Sequence, residues 1–203
     1  MAKKAKSVYM CAECGNEFPS WQGQCSYCGA WNSIVEQRVK PEADSDARRR
    51  TTSKATPSKL KSVGTGKYTR MTSGISELDR VLGGVIVLGS MILISGEPGI
   101  GKSTLIIQSA NSIALNNGTV LYVSGEESEE QVKLRADRVC ENLSDNLLIF
   151  PETNIESVLA VCEQTKPKFL VIDSIQTMYS EELDNTAGSI TQIRACSNLL
   201  MKY

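Results

Sequence analysis

From Thr69 onward the apolar positions fall into short runs that alternate with helical stripes. Ser73 to Gly84 reads as a short helix closed by glycines, and Met91-Ile92-Leu93-Ile94-Ser95 as a short apolar strand. Leu105, Ile106, Gln108, Ser109 and Ile113 continue as a helix that ends near Asn116-Asn117-Gly118. Thr119 to Val123 is a strand rich in β-branched residues. Ser128 then caps a helix, with Gln131 completing a capping box and Val132, Ala136, Val139 and Leu143 as its buried stripe. Leu147 to Phe150 is a buried strand stopped by Pro151, and Asn154 opens a helix with Ile155, Val158, Leu159 and Cys162 on one face. Phe169 to Asp173 is a further strand, and Ser189 with Gln192 opens a last helix. Strands alternating with helices predict an α/β fold, a parallel sheet covered on both faces.

The N-terminal third is different. Residues 37–66 carry no apolar period before Leu60 and read as a solvated linker between a small module at 1–36 and the α/β core at 67–203. Charge divides the same way. Residues 1–70 hold 13 Lys/Arg against 6 Asp/Glu, and residues 71–203 hold 9 against 17, so a net +7 and a net −8 hide within the overall −1. The basic part, Arg48-Arg49-Arg50 included, suits contact with phosphate backbones or serves as a solvated tail. At 203 residues there is room for one sizeable core and an appendage. No export signal or membrane-length apolar run is present, which predicts a cytoplasmic protein without a membrane partner. The absence of histidine excludes His general bases, Ser-His-Asp triads and His metal ligands.

Between the short strand at Met91 to Ser95 and the helix after it lies Gly96-Glu97-Pro98-Gly99-Ile100-Gly101-Lys102-Ser103-Thr104, which fits the phosphate-binding loop G-x-x-x-x-G-K-[ST]. Such a loop turns backbone N–H groups inward at a helix N-terminus, where they and the helix dipole favour a polyphosphate. Lys102 is the candidate for the β- and γ-phosphates of ATP, and the Ser103 hydroxyl for Mg²⁺. Asp173 ends an apolar strand about seventy residues downstream of Ser103, as a Walker B aspartate does, and is the second magnesium candidate; an ordinary loop cap is the alternative. Glu126 and Glu127 follow the strand ending at Val123 and should emerge at the same sheet edge. Glu126 is the first choice as general base, while Glu127, Glu129 and Glu130 also suit a helix N-terminus.

Seven cysteines without an export signal point to reduced thiols or metal ligands. Cys11-x-x-Cys14 and Cys25-x-x-Cys28 supply four thiolates, the closed set of structural Zn²⁺, with Trp21 and Trp31 expected to pack around them. The module's role is open between scaffolding, a protein partner and DNA. Cys140, Cys162 and Cys196 fall at helical, mostly apolar positions and read as small core residues.

Taken together, these motifs resemble the bacterial RadA/Sms family, RecA-like ATPases of DNA repair. The four-cysteine segment with Trp21-Gln22-Gly23-Gln24 and Trp31-Asn32 resembles the family's zinc finger. Glu77 to Gly84, the P-loop, Tyr122 to Ser128 and Val171 to Gln176 resemble its ATPase core. Val85 and Leu88 stand where the family has glycine and proline. The resemblance implies a DNA-dependent ATPase that processes recombination intermediates, with branch migration on single-stranded DNA. It implies a homo-hexamer in the complete protein, a recombinase as a possible partner, and Glu126 as the water-activating glutamate. The family continues past residue 203 with further core strands, a Lys-Asn-Arg-Phe-Gly motif and a Lon-protease-like domain. One of those strands lies between the P-loop strand and the Walker B strand, so a RecA-like sheet with a gap is expected here. The loop Tyr179 to Gly188, where RecA relatives bind DNA, carries Glu181, Glu182 and Asp184, which oppose phosphate. The competing expectation is a nucleotide-binding interaction module whose zinc finger docks a partner protein, without DNA-stimulated turnover.

Overall fold

The structure is a computed structural model that describes residues 6–39, 59, 61 and 70–203. The chain divides into two compact units, Met1–Lys67 and Tyr68–Tyr203. Most of the expected linker, including the Arg48-Arg49-Arg50 run, lies outside the described residues.

In the first unit β1 (Lys6–Cys11) pairs antiparallel with both β2 (Glu17–Phe18) and β3 (Ile34–Val39). The sheet therefore runs on to Val39, past the expected module boundary at residue 36. Each C-x-x-C is followed by a glycine, and the reason is local. Gly15 and Gly29, at φ 71° and 76°, return their N–H groups to the Cys11 and Cys25 carbonyls at 2.8 and 2.9 Å. A side chain is disfavoured at that φ, so glycine closes both knuckles. The apolar core is small: Cys11, Cys25 and Ile34 are buried, with Tyr9, Cys14 and Phe18 packed against them. Trp21 and Trp31 do not join it; they are 59% and 72% exposed, because so small a core has no face left to receive an indole.

The second unit opens with a two-residue ladder, β4 (Arg70–Met71) against β5 (Ile86–Val87), flanking α1 (Ser76–Val81). Its centre is a parallel sheet in the order β7 (Leu147–Pro151), β6 (Val120–Ser124), β8 (Phe169–Asp173). The helices are α2 (Lys102–Asn117), α3 (Glu129–Val139), α4 (Ile155–Thr165) and α5 (Ile190–Lys202). Strand β6 is buried along its length, and its alternation builds two cores. Val120 and Tyr122 join Ile107, Ala110, Ile113, Val132 and Ala136 from α2 and α3. Leu121 and Val123 join Ile155, Val158, Cys162 and Cys196 from α4 and α5. Each Val, Leu or Ile among them contributes about 1.5–3 kcal/mol when withdrawn from water. Cys162 and Cys196 are core residues as expected, whereas Cys140 is half-buried at the C-cap of α3.

Met91 to Ser95 does not form the expected strand. A strand is defined by its neighbour, and among the described residues no strand pairs with this segment. The two-sided alternation survives without the ladder: Met91 and Leu93 are exposed, while Ile92 is half-buried against the first core.

Candidate functional site

The P-loop glycines act where the chain turns. Gly99 and Gly101 lie at φ 81° and 101°, and Gly101 is the N-cap of α2 with no side chain bonded to the helix start. The first-turn N–H groups are thus left to an external acceptor. Lys102 Nζ donates to the carbonyls of Gly96 and Glu97, both at 2.8 Å, which lays the ammonium across the loop. Ser103 and Thr104 sit half-buried in the same turn, and α2 packs on β6 and β8.

The opposite wall is the C-terminal edge of the sheet. Ser124 and Asp173 are register partners, and Gly125 N–H donates to the Asp173 carbonyl at 2.9 Å. Glu126 is exposed, and its Oε1 accepts from Ser174 Oγ at 2.8 Å, so Glu126 and Asp173 share this edge. Gly125 is required by space. A Cβ there would stand 1.9 Å from Thr177 Oγ1 and 2.8 Å from Thr177 Cβ.

Three residues here escaped the sequence pattern. Tyr122 reaches Asp173 Oδ2 with its hydroxyl at 2.5 Å. Burial, and then the bond to Asp173, push the phenol far above its ordinary range, so it stays a donor. Arg135 donates through Nη2 to Glu127 Oε2 and places Nη1 4.0 Å from Asp173 Oδ2. Ser124 Oγ donates to the Glu127 carbonyl at 2.7 Å and accepts the Glu127 N–H at 3.0 Å, closing the turn that presents Glu126. The signal for Arg135 was available: it stands between Val132 and Ala136 on the buried stripe of α3, where a guanidinium needs a partner. Glu127 therefore works as an ion-pair partner. Glu129 and Glu130 do occupy the first turn of α3, where the Ser128 hydroxyl lowers the Glu130 pKa.

In the other unit the Sγ atoms of Cys11, Cys14, Cys25 and Cys28 all lie within 4.8 Å of one another. Four thiolates bound at about 2.3 Å from one zinc ion stand about 3.8 Å apart. The closest pairs here, Cys11–Cys28 and Cys14–Cys25, are at 3.7 and 3.5 Å, so the cluster fits the ion. Burial opposes ionisation of Cys11, yet the Ser33 hydroxyl and the N–H groups of Cys14 and Glu13 together lower its pKa to about 6; backbone N–H groups also lower that of Cys25, whereas Cys14 and Cys28 are raised. A cation among the four sulfurs would favour the thiolate form of all of them.

Residues 54–200 match the AAA domain family and residues 9–36 a rubredoxin metal binding domain. The chain belongs to the AAA domain family. Along nearly its whole length this AAA chain also matches bacterial RadA proteins, as the cysteine-finger and P-loop pairing led one to expect. It is 42% identical to the DNA repair protein RadA of Bacillus subtilis (strain 168), covering 98% of this chain and 44% of the relative. Against the DNA repair protein RadA of Haemophilus influenzae identity is 45%, with 100% of this chain and 45% of the relative covered. The Pseudomonas aeruginosa protein of the same name is 43% identical over 98% of this chain and 44% of its own length. The AAA chain thus spans a little under half the length of these relatives. No helix among the described residues is long and apolar enough to cross a membrane.

Proposed function

We propose that this chain is the zinc-finger and nucleotide-binding part of a DNA-dependent ATPase that acts on recombination intermediates, as a RadA protein does. One observation carries the reading: the P-loop helix packs on the strands that bring Asp173 and Glu126 to one edge. In this reading the amides of Gly96 to Thr104 and the Lys102 ammonium hold the triphosphate of ATP. Ser103 and Asp173 hold magnesium, which when bound offsets the phosphate charge. Glu126, kept in place by Ser174, orients the attacking water and takes its proton. Cys11, Cys14, Cys25 and Cys28 hold zinc for structure, since four protein ligands leave no place for a substrate.

Single-stranded or branched DNA, a hexameric ring, a recombinase partner and a cytoplasmic setting belong to the same proposal. The test is calorimetric titration with Mg-ATP, followed by ATP turnover with and without single-stranded DNA, in this chain and in a full-length RadA protein. Heat on titration and DNA-stimulated turnover in the longer protein support the reading. No heat from a folded sample would overturn it.

A second reading has its own support. Trp21, Tyr27 and Trp31 are 59%, 80% and 72% exposed on the zinc unit, and the loop that would face DNA carries Glu181, Glu182 and Asp184. Those features suit a nucleotide-controlled module that docks a protein through the finger. Nucleotide binding with no response to DNA would favour it.

A further inference from the structure

Arg135 has more hydrogen-bonding capacity than it uses. Its side chain is 14% exposed, and Nη2 is committed to Glu127. Nη1 is buried, has no hydrogen-bond partner, and lies 4.0 Å from Asp173 Oδ2, too far for a hydrogen bond but well within reach of the charge. An unpaired buried N–H is costly to keep, and a guanidinium withdrawn from water is costly without full pairing. The fork spans two carboxylates on different elements: one in the turn after β6, the other at the end of β8. Backbone and side-chain bonds already join those elements, through Gly125 to Asp173 and Ser174 to Glu126. Tyr122 occupies the same oxygen, Oδ2, that Nη1 approaches. The basic group on α3 is therefore aimed at the engaged side of Asp173.

We propose that Arg135 is a positioning residue that bridges Glu127 and Asp173, fixing the magnesium-holding carboxylate and the turn bearing Glu126 as one unit. The inference rests on the nucleotide reading above and adds to it a residue that acts through Glu127 and Asp173. A lysine cannot replace it. An ammonium is a point charge, whereas the planar fork donates to Glu127 through Nη2 while holding the Nη1 side of its charge toward Asp173.

The test is nucleotide affinity as a function of magnesium in the zinc-loaded chain. ATP is titrated calorimetrically into wild type, Arg135→Gln and Arg135→Lys at a series of Mg²⁺ concentrations that includes none. Far-UV circular dichroism melts check the fold. The expected result is a rise in the half-saturating Mg²⁺ concentration by on the order of tenfold in both variants; a fall would mean that the guanidinium only repels the cation and would overturn the proposal. Affinity for ATP without Mg²⁺ should stay within about twofold of wild type, since the P-loop amides and Lys102 are untouched. An unchanged Mg²⁺ dependence in Arg135→Gln would overturn the proposal, as would full restoration by Arg135→Lys, which would reduce the role to charge alone. If Arg135→Gln does not fold, Arg135→Lys carries the same test; unfolding of both would make Arg135 a packing residue and also overturn it. Wild type that binds no ATP at any Mg²⁺ concentration would sink the nucleotide reading and this inference with it. A failure confined to the variants would leave that reading standing.

Discussion

A phenol that keeps its proton is a fixed donor, and Tyr122 holds that donor against Asp173 at 2.5 Å. Tyr122→Phe keeps the ring in the core and removes only the bond. The expected cost is about 1–2 kcal/mol, read as a lower urea midpoint at unchanged slope. Lys102→Ala should weaken ATP binding by roughly tenfold or more, seen by calorimetry. Glu126→Gln should spare that affinity and, in a full-length protein, lower turnover by about 10²–10⁴. Residues whose chemistry lies in close sequence spacing were legible from the chain: the P-loop from Gly96 to Thr104 and the paired cysteines are each a local pattern. The role of Tyr122 was not, and for Arg135 only the need of a partner was, because Asp173 is distant in sequence and meets them only once β6, α3 and β8 have assembled.

Helix starts could be read from the chain because a cap is closed within one turn. Ser128 accepts from Gln131 N–H at 3.4 Å while the Gln131 side chain accepts the Ser128 N–H at 3.0 Å; Ser128→Ala should cost about 1 kcal/mol in thermal or urea unfolding. The strand expected at Met91 to Ser95 shows the opposite case. Its apolar run was plain, but pairing depends on a neighbour, and the run alone could not supply one. The two-residue ladder of β4 and β5 is too short to leave any period. Beyond β8, the loop from Ser180 to Asn185 is gathered by the Gln192 side chain, with Asn154 bonded to Glu181 and Glu156 to Ser180 beside it. Gln192, 1% exposed, accepts the Ser180 N–H and donates to the carbonyls of Ser180, Leu183 and Asn185 at 2.9–3.2 Å. Gln192→Ala removes four of the bonds that gather this loop. Cleavage within residues 181–188 during limited proteolysis should then quicken, with little change in helix content.

The division into two units sets how metal removal is felt. Both tryptophans, Trp21 and Trp31, belong to the first unit, so their emission reports on that unit alone. A core of three buried side chains is too small to stand without its ion; because both indoles are already largely exposed, a chelator should move their emission little and should instead open Cys11, Cys14, Cys25 and Cys28 to a thiol reagent. ATP affinity, which depends on residues of the second unit, should stay within about twofold by calorimetry. Among the described residues of that second unit the sheet has two open margins, since β7 and β8 each pair there with β6 alone. β8 is Phe-Leu-Val-Ile-Asp, with no proline or lysine to deter a stranger. Concentrated solutions should accordingly scatter light as molecules stitch themselves together along that seam, and dilution should clear them.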